Sequence, residues 1–367
     1  MKFSINREEL ITPLNQIAGI VEKSQTMPIL SNVFIQVDQQ SMKLTSTDNE
    51  LQLEVMLELL NIQSPGNRCC DAKKLLDICK SLPQDSTLHF ELENDQILIQ
   101  SGKSRFQLAS LPAEDFPAFE ENQSLYEFEV MSDKLSELIK TTQFSMAVND
   151  VRSYLNGMLL EVSPSELISV TTDGHRLSIN WKEVSTSVTE NQQLILPKKA
   201  VTELTRIFPG EQNLSVGFSN NQIRVQGGKL RFHSKLIDHT YPNYKRVIPE
   251  QTDNILRIDR LQLRDALNRV SILTNRQLRG VRWVLENNVL TIYSHNSDQE
   301  QAKEELEVNY TAAPIEIAFN VSYLQDVLNT MEVNEVTIFF TDNNSSILLK
   351  DSHDEQRALY VVMPMRL

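Results

Sequence analysis

The feature that most constrains the fold is a pattern that occurs three times along the chain. The three stretches read FSINREELITPL from Phe3, FEVMSDKLSELI from Phe128 and LRIDRLQLRDAL from Leu256. In each stretch a leucine follows seven residues after the first residue, and another apolar residue follows four later. Apolar residues at this spacing predict a short strand that leads into an amphipathic helix.

Each third continues in the same order after this opening. Strand-like runs come next (ILSNVFIQV, YLNGMLLEV and VRWVLENNVLTIY), then a second amphipathic stretch, and then alternating apolar and polar residues with polar turns between them. Six helical stretches are therefore predicted, at 6–20, 71–82, 132–142, 197–208, 259–273 and 320–332.

This order of elements predicts an α+β fold, in which pairs of helices pack against antiparallel sheets. A chain of 367 residues is too long for a single core. Prolines interrupt the pattern in LPAEDFPAF and in DHTYPNYKRVIPEQ, which suggests that these runs are linkers. We therefore predict three domains, at 1–124, 125–252 and 253–367.

A shorter phrase is also repeated. The run TSTDNELQLEV covers 45–55 and VTTDGHRLSIN covers 170–180, so each places a Thr-Asp pair between two strand-like segments. The agreement between the two phrases supports an internal repeat.

Several features limit the cellular setting. No apolar run approaches the ~18 residues that a membrane helix needs, and the N-terminus is charged too early for a signal peptide. Cys69, Cys70 and Cys79 are odd in number and have no CxxC spacing, which favours reduced thiols over disulfides or a metal site. We expect a cytoplasmic chain with no membrane partner and no metal.

Two enzyme readings fail on spacing. The run GKS at 102–104 suggests a phosphate-binding loop, but such a loop needs a glycine where Ile97 stands, and the run lies between strands. The histidines His175, His233 and His239 lack the spacing of a metal or acid–base cluster. We expect no catalytic residues and no cofactor.

The motifs TTDGHRL, YPNYKRV, FNVSYLQDVLN and YVVMPMRL, together with the threefold repeat, resemble the sliding clamp family, the β subunits of bacterial DNA polymerase III. The resemblance runs from Met1 to Leu367. It implies a non-catalytic processivity factor, a head-to-tail homodimeric ring with helices lining the bore and sheets outside. It further implies that the ring surrounds duplex DNA without reading its sequence. The implied protein partners are the polymerase III catalytic subunit, the clamp loader and other proteins with a clamp-binding motif.

The predicted helices set the size of such a ring. Neighbouring helix axes lie ~10 Å apart, so six helices give a circumference of ~60 Å and a hole only about 9 Å wide. Twelve helices from two chains give ~120 Å and a hole of roughly 28 Å, which admits a duplex on the order of 20 Å across. Two chains are therefore the smallest number whose helices can surround DNA.

The charge distribution bears on the same question. The net charge of −14 argues against a nucleic-acid partner, but the six helical stretches are close to neutral in sum. An acidic exterior with a nearly neutral bore fits a ring that surrounds DNA without gripping it, because many phosphate contacts make binding strongly salt-dependent. The alternative is that these are ordinary solvated helix faces.

The resemblance also implies a peptide-binding pocket that includes the C-terminal tail. Methionines flank Pro364, and the tail either completes a core strand or lines an apolar groove, where methionine suits several partners. The implied pocket residues are Leu155, Thr172, Gly174, His175, Arg176, Leu177, Pro242, Arg246, Val247, Asn320, Tyr323, Ser346, Val361, Val362, Met363, Pro364, Met365 and Arg366. Leu278 and Asn344 depart from the family pattern at the pocket margin.

The second copy of the Thr-Asp phrase belongs to this implied pocket. It has Gly174-His175-Arg176 where the first copy has Asn49-Glu50. We interpret the phrase as a structural turn that was modified once into a docking site.

Contacts to DNA and to a second chain are implied as well. The implied DNA contacts are Lys73, Lys103, Arg105, Arg152, Tyr154, Lys198, Lys199 and Arg246. The implied dimer contacts are an apolar centre of Phe106, Leu108, Ile272 and Leu273, with Lys74 and Arg105 facing Glu300 and Glu304 at its rim. An acidic repeat scaffold that binds only proteins is the alternative, and it predicts no retention on circular DNA.

Overall fold

The computed structural model of the chain describes residues 1–22, 27–59, 61–117, 119, 123–310, 312–351 and 358–366. The chain divides into two compact units. Unit 1 comprises Met1–Leu135, Thr186–Val188 and Lys199–Leu236, and unit 2 comprises Ser136–Ser185, Thr189–Lys198 and Ile237–Leu367. This division into two units does not test the three predicted domains, whose boundaries stay a prediction.

All six predicted helices form. The described residues contain the α-helices α1 (Arg7–Ile20), α2 (Ala72–Ser81), α3 (Ser132–Lys140), α4 (Lys198–Ile207), α5 (Arg260–Ser271) and α6 (Val321–Thr330). The leucines of the threefold pattern, Leu10, Leu135 and Leu263, are buried. Side chains cap the N-termini of α2, α5 and α6, because Asp71 and Asp259 accept a hydrogen bond from a backbone N–H of the first turn at 2.8 Å and Asn320 accepts one at 2.9 Å.

The described residues form 25 strands, and each third of the chain repeats the same order, with one additional strand, β5, in the first third. The strands of the first third are β1 (Lys2–Asn6), β2 (Asn32–Val37), β3 (Ser41–Thr47), β4 (Leu51–Glu58), β5 (Asn61–Ser64), β6 (Gly66–Asp71), β7 (Thr87–Glu93), β8 (Gln96–Ser101) and β9 (Ser104–Leu111). Those of the middle third are β10 (Tyr126–Met131), β11 (Gly157–Val162), β12 (Glu166–Thr172), β13 (Arg176–Glu183), β14 (Gln192–Pro197), β15 (Asn213–Phe218), β16 (Gln222–Gly227) and β17 (Leu230–Lys235). Those of the last third are β18 (Ile255–Asp259), β19 (Gly280–Glu286), β20 (Val289–His295), β21 (Gln301–Glu307), β22 (Ile315–Asn320), β23 (Glu335–Phe339), β24 (Ile347–Asp351) and β25 (Ala358–Val362).

Unit 1 contains one sheet of 13 strands in the order β10-β15-β16-β17-β4-β3-β2-β6-β9-β8-β7-β1-β5. All of its pairings are antiparallel. The pairing of β17 with β4 joins strands of the middle third to strands of the first third, so the sheet continues from one repeat into the next.

Unit 2 contains two sheets. Eight strands follow the order β14-β11-β12-β13-β25-β24-β23-β18, and four follow the order β21-β20-β19-β22. The antiparallel pairing of β13 with β25 again joins two repeats, here the middle and the last. Helices α5 and α6 contact each other, and Trp283 and Phe319 lie in the same buried cluster as their leucines. The predicted α+β fold with antiparallel sheets is confirmed.

The second predicted linker, DHTYPNYKRVIPEQ, is an ordered part of unit 2. Tyr241 and Tyr244 in this segment are 4% and 7% exposed, and Tyr244 donates a hydrogen bond to Glu161 at 2.7 Å. The segment therefore has a fixed position beside strand β11, and its prolines break the helix and strand periods without leaving the chain free.

Candidate functional site

The first copy of the Thr-Asp phrase forms a hydrogen-bonded turn between β3 and β4. Thr47 Oγ1 donates to the carbonyl of Leu51 at 2.7 Å, and Asp48 Oδ1 accepts from the N–H groups of Glu50 at 2.9 Å and Leu51 at 2.7 Å. Asn49 takes a left-handed φ of 74°, a conformation that asparagine tolerates better than most residues.

The second copy forms the same turn between β12 and β13. Thr172 Oγ1 donates to the carbonyl of Arg176 at 2.5 Å, and Asp173 Oδ1 accepts from the N–H groups of His175 at 2.9 Å and Arg176 at 3.1 Å. Gly174 takes the left-handed φ, at 92°. The Thr and the Asp are thus structural in both turns, and the copies differ in the side chains that the turn presents.

Arg176 is held at every nitrogen of its guanidinium group. Nε donates to Asp173 at 3.0 Å, Nη1 to Asp326 on α6 at 2.5 Å, and Nη2 to the carbonyl of Phe144 at 2.6 Å. The guanidinium carbon lies 4.6 Å from the ring centroid of Tyr323 and 5.5 Å from that of Phe144. The side chain is only 11% exposed, and three of its five N–H groups are used within the chain. Arg176 therefore ties the turn to α6.

Two rings form a wall beside this arginine. The ring of His175 lies 6.4 Å from that of Tyr323, with an interplanar angle of 16°. Burial raises the pKa of Tyr323, with the nearby Asp173 as a second cause, so its hydroxyl stays neutral. Asn320 sits at the start of α6, where its side chain accepts from the N–H of Ser322 at 2.9 Å and so fixes the helix that carries Tyr323.

The C-terminal tail both completes a strand and extends beyond it. Val362 lies opposite Arg176 in the β13–β25 ladder and is fully buried. After the strand, the Met363 N–H donates to the carbonyl of His175 at 2.9 Å, and the Met365 N–H donates to the carbonyl of Ala318 at 2.7 Å. The backbone is therefore anchored, while the Met363 side chain is 46% exposed.

All the predicted pocket residues belong to unit 2. Leu155, Leu177, Val361 and Val362 are buried; Thr172, Arg176, Asn320, Tyr323, Ser346, Pro364 and Met365 are half-buried; Gly174, His175, Pro242, Arg246, Val247, Met363 and Arg366 are exposed. The departures Leu278 and Asn344 are both exposed. The last residue of the tail, Leu367, lies outside the described residues.

The second Thr-Asp turn, helix α6 and the C-terminal tail lie together in unit 2. They present the exposed Met363 and the nearly parallel rings of His175 and Tyr323 on a hydrogen-bonded backbone. Such a surface can hold apolar side chains of a peptide, because methionine adapts to varied shapes and the frame is already ordered. Among the described residues, no group of three or more His, Cys, Asp and Glu side chains could hold a metal ion.

Two supporting residues of this site were missed from the sequence. Asp326 follows Tyr323 by three residues in α6, so both lie on the same helix face, and this spacing was an available signal. Phe144 had no comparable signal, since its contribution is a backbone carbonyl and a ring at 5.9 Å from Tyr360.

Some of the predicted DNA contacts already have partners in the chain. In unit 1, Lys199 pairs with Asp48 and donates to the carbonyl of Ile20 at 3.1 Å. In unit 2, Arg152 donates to both carboxylate oxygens of Asp150 at 2.9 Å, which lowers the pKa of Asp150 to about 2. The exposed members of the set are Lys73, Lys103, Arg105, Arg152, Lys198 and Arg246, and Tyr154 is half-buried.

The predicted dimer contacts divide between the two units. In unit 1, Lys74 is exposed, Phe106 is half-buried and Leu108 is buried. In unit 2, Ile272 is 77% exposed, Leu273 is half-buried and Glu300 is exposed. Glu304 is already engaged, because Arg269 donates to both of its oxygens at 2.8 Å.

The remaining sequence candidates have structural roles. Gly102 and Lys103 form the turn of the β8–β9 hairpin, so the GKS run precedes a strand and not a helix. Cys69, Cys70 and Cys79 are free and buried. Burial raises the pKa of Cys70 and raises the pKa values of Cys69 and Cys79 to about 12, so these thiols are not nucleophiles at neutral pH.

None of the helices in the described ranges has the length and the apolar character to cross a bilayer.

Comparison with known proteins supports the resemblance over the whole chain. Three family models match it: the N-terminal domain of the DNA polymerase III beta subunit at residues 1–120, the central domain at 129–243 and the C-terminal domain at 245–366. The beta sliding clamp of Pseudomonas aeruginosa is 44% identical, and that of Escherichia coli K12 is 42% identical, each over 100% of both chains.

Solved structures agree with these relatives. A crystal structure of the Pseudomonas aeruginosa sliding clamp bound to griselimycin matches with a TM-score of 0.97 and 43% identity over 100% of both chains. The relatives are named for a clamp and not for a reaction, which places the chain among processivity factors rather than enzymes. The chain belongs to the family of the DNA polymerase III beta subunit, the beta sliding clamps.

Proposed function

We propose that two copies of the chain form a head-to-tail ring around duplex DNA, in the cytoplasm, and tether the replicative polymerase to its template. Each copy contributes three domains, with boundaries near 124 and 252. Proteins that carry a clamp-binding motif, including the polymerase III catalytic subunit and the clamp loader, dock in the pocket of unit 2. Tethering raises the effective concentration of the polymerase at the primer end.

The pocket proposal is supported by the contrast between the two Thr-Asp turns. In unit 1 an ion pair occupies the position after the turn, since the ammonium of Lys235 lies 3.4 Å from the carboxylate of Glu50. The backbone N–H of Lys235 also donates to the carbonyl of Glu50. In unit 2 the same backbone hydrogen bond runs from Met363 to His175, and apolar and aromatic side chains replace the ion pair. The second turn therefore offers a surface that an apolar peptide can cover.

A double substitution tests the pocket. Met363→Ala with Met365→Ala removes flexible apolar surface, so we expect a labelled polymerase peptide to bind at least ten-fold more weakly. Met56→Ala is the matched control, because Met56 lies in unit 1 and is similarly exposed at 42%. Griselimycin should compete with the peptide for the unaltered chain. Full-strength binding to the double variant would place the pocket elsewhere.

The dimer proposal rests on one observation, a strand junction that the chain makes twice in the same register. In unit 1, Phe232 of β17 lies opposite Leu53 of β4. In unit 2, Tyr360 of β25 lies opposite Ser178 of β13. These aromatic residues are 0% and 1% exposed, so each junction buries a large ring.

Strand β9 of the first third corresponds to β17. The β8–β9 hairpin, QILIQSGKSRF, and the β16–β17 hairpin, QIRVQGGKLRF, agree at seven of eleven positions. Their turns have the same left-handed glycine, with φ of 57° at Gly102 and 54° at Gly228. Phe106 therefore occupies the position of Phe232, yet it is half-buried where Phe232 is fully buried.

Strand β21 of the last third corresponds to β4. The β20–β21 hairpin has seven residue pairs and ends with His295 opposite Gln301, as the β3–β4 hairpin has seven and ends with Thr47 opposite Gln52. Ala302 therefore occupies the position of Leu53. Among the described strands, β21 is a sheet edge, and β9 pairs with β6 only near its C-terminal end.

Within the described residues, strands β9 and β21 thus have unpaired edges, while their counterparts β17 and β4 pair with each other within the chain. This supports pairing of β9 with β21 between two copies. We place β9 of one protomer beside β21 of its partner, with Phe106 opposite the partner's Ala302. We call this β9–β21 contact, with its flanking side chains, the seam. The exposed Ile272 supplies further apolar surface to it.

Cysteine cross-linking tests the register. Opposite Cα atoms in an antiparallel pair lie about 4.5–5.5 Å apart, within disulfide range. A Phe106→Cys chain mixed with an Ala302→Cys chain should give a covalent dimer on mild oxidation. Glu304→Cys in place of Ala302→Cys is the control, since two residues along the strand put its Cα about 8 Å away. Equal cross-linking of both pairs would contradict the register.

Duplex DNA is the proposed occupant of the ring. Exposed Lys73, Lys198 and Arg246 are the side chains we expect to contact phosphates, without reading sequence. Lys199 and Arg152 already pair with carboxylates, so we expect smaller contributions from them. Few strong phosphate contacts suit a ring that has to slide.

A further inference from the structure

The two junctions within the chain differ in the charges that they place on one face of the sheet. Next to the buried ring of β17, Arg231 lies opposite Glu54, with 4.0 Å between the guanidinium and the carboxylate. Next to the buried ring of β25, Leu359 lies opposite Ile179. The first junction therefore has an ion pair at this position, and the second has an apolar pair.

We propose that the seam between protomers has a like-charge pair at this position, Arg105 opposite the partner's Lys303. This rests on the proposed dimer. Arg105 precedes Phe106 as Arg231 precedes Phe232, and Lys303 follows Ala302 as Glu54 follows Leu53. The register that pairs Phe106 with the partner's Ala302 thus brings two cations together where the first junction has a cation and an anion.

Lys303 lies in a group of two cations and two carboxylates, whose charges cancel within one protomer. Its ammonium lies 5.9 Å from the ring centroid of Tyr293, and the guanidinium carbon of Arg282 lies 4.6 Å from the same centroid. Each cation has one carboxylate of its own, Glu305 at 2.6 Å from Lys303 and Glu316 at 2.9 Å from Arg282. The approaching Arg105 shares Glu305 with Lys303, so the group as a whole gains one positive charge.

A cleft is already present on this face. It has a volume of about 410 Å³ and is lined by Arg282, Tyr293, His295 and Lys303, among others. In unit 1 a cleft of about 510 Å³ lies at the β4–β17 junction, and both Glu54 and Arg231 line it. In the proposed dimer the β8–β9 hairpin of the other protomer borders the cleft beside Lys303 and brings Arg105 to it.

Like charges directly opposite in a sheet are destabilising. The carboxylate of Glu304, which the resemblance implies as a rim partner for the cations of the other protomer, does not offset this, because it is already held by Arg269. The apolar centre and the strand hydrogen bonds therefore close the ring against a local repulsion. On the face of the sheet that carries Arg105 and the partner's Lys303, the seam is therefore weaker than the β4–β17 junction. We expect the two protomers to begin to separate there.

Neutralising one partner tests the pair. Lys303→Gln should lower the dimer dissociation constant about two- to five-fold at low salt. The same change in an Arg105→Gln background should have little effect, since the opposing charge is gone. Lys245→Gln is the control, because it alters net charge by the same amount on an exposed lysine outside the seam strands. Dissociation can be followed by energy transfer between labelled protomers.

The outcomes separate the two proposals. A gain from Lys303→Gln that disappears in the Arg105→Gln background, and shrinks as salt screens the charges, supports the pair. Dimers that cross-link in register but do not tighten, or that tighten equally in both backgrounds, overturn the pair and leave the dimer in place. A wild-type chain that stays monomeric overturns both.

Discussion

Replacing Asp326 by asparagine tests whether the proposed pocket depends on how Arg176 is held. The Asp326 carboxylate accepts from Arg176 at 2.5 Å and links α6 to the turn that carries His175. Asparagine keeps the size and one acceptor oxygen but removes the charge. Arg176 then keeps Asp173 as its carboxylate partner, together with the carbonyl of Phe144.

The magnitude follows from the exposure of the pair. A hydrogen bond to a charged group is worth about 1.5–3 kcal/mol, but the Asp326 side chain is 43% exposed, while that of Arg176 is 11% exposed. Solvent screening at Asp326 reduces the value toward about 1 kcal/mol. If the loss falls on pocket order, the peptide dissociation constant rises about five-fold, and the melting temperature falls by only about 2–4 °C.

Fluorescence anisotropy of a labelled partner peptide measures the effect. Asp326→Glu should restore most of the affinity, and Glu332→Gln, an equal charge change just after α6 at an exposed position, should leave it unaltered. Unchanged affinity in Asp326→Asn would refute the reasoning that the Arg176 contacts shape the pocket. Equal losses in Asp326→Asn and Glu332→Gln would point to net charge alone.

Three further outcomes are expected. Lys199→Met leaves Asp48, whose side chain is 5% exposed, without its cation. Urea denaturation should show a loss of about 1–3 kcal/mol in the free energy of unfolding, against less than about 0.5 kcal/mol for Lys73→Met at an exposed position. The carboxyl of Asp150 should titrate in NMR near its pKa of about 2 and move back toward about 4 in Arg152→Ala. Because this folded-state pKa is lowered, the contribution of the pair to stability is present above about pH 4 and is lost as the pH falls toward 2. The three buried cysteines should stay unreactive to a thiol reagent at pH 8 until the chain unfolds, and rapid labelling of the native protein would contradict their burial.

Local patterns were sufficient to predict the helices and their order. The spacing from Phe3 to Leu14 recurs in each third, and both ends of all six helices lie within two residues of the predicted limits. A helix that buries one apolar face needs apolar residues at a regular spacing within its own segment, so the local sequence is sufficient to predict it. The family comparisons confirmed the fold and the clamp family that these motifs indicated.

Pairing between distant strands could not be predicted in the same way. Nothing near β4 in the sequence specifies β17 as its neighbour, although the two pair from Leu51 to Val55. The same holds for the ion pairs Lys199–Asp48 and Arg176–Asp326, whose members lie 151 and 150 residues apart. Partner choice over such distances depends on three-dimensional packing, which periodicity does not encode.

The site residues were predicted as a group, and their roles differ in detail. Arg176 was assigned to peptide contact, but its guanidinium nitrogens are all used within the chain. Met363 was assigned to the pocket wall, and its anchored backbone and exposed side chain favour that role. A sequence motif reports which positions matter together; the contacts separate those that present a surface from those that support it.

Retention on circular DNA tests the central claim most directly. The chain is loaded by a clamp loader on nicked circular duplex, freed of unbound protein by gel filtration, and then the circle is cut once. A closed ring predicts that protein stays with the intact circle at high salt and leaves when the DNA becomes linear. Release from intact circles that depends on salt alone, with no effect of the cut, would contradict encirclement.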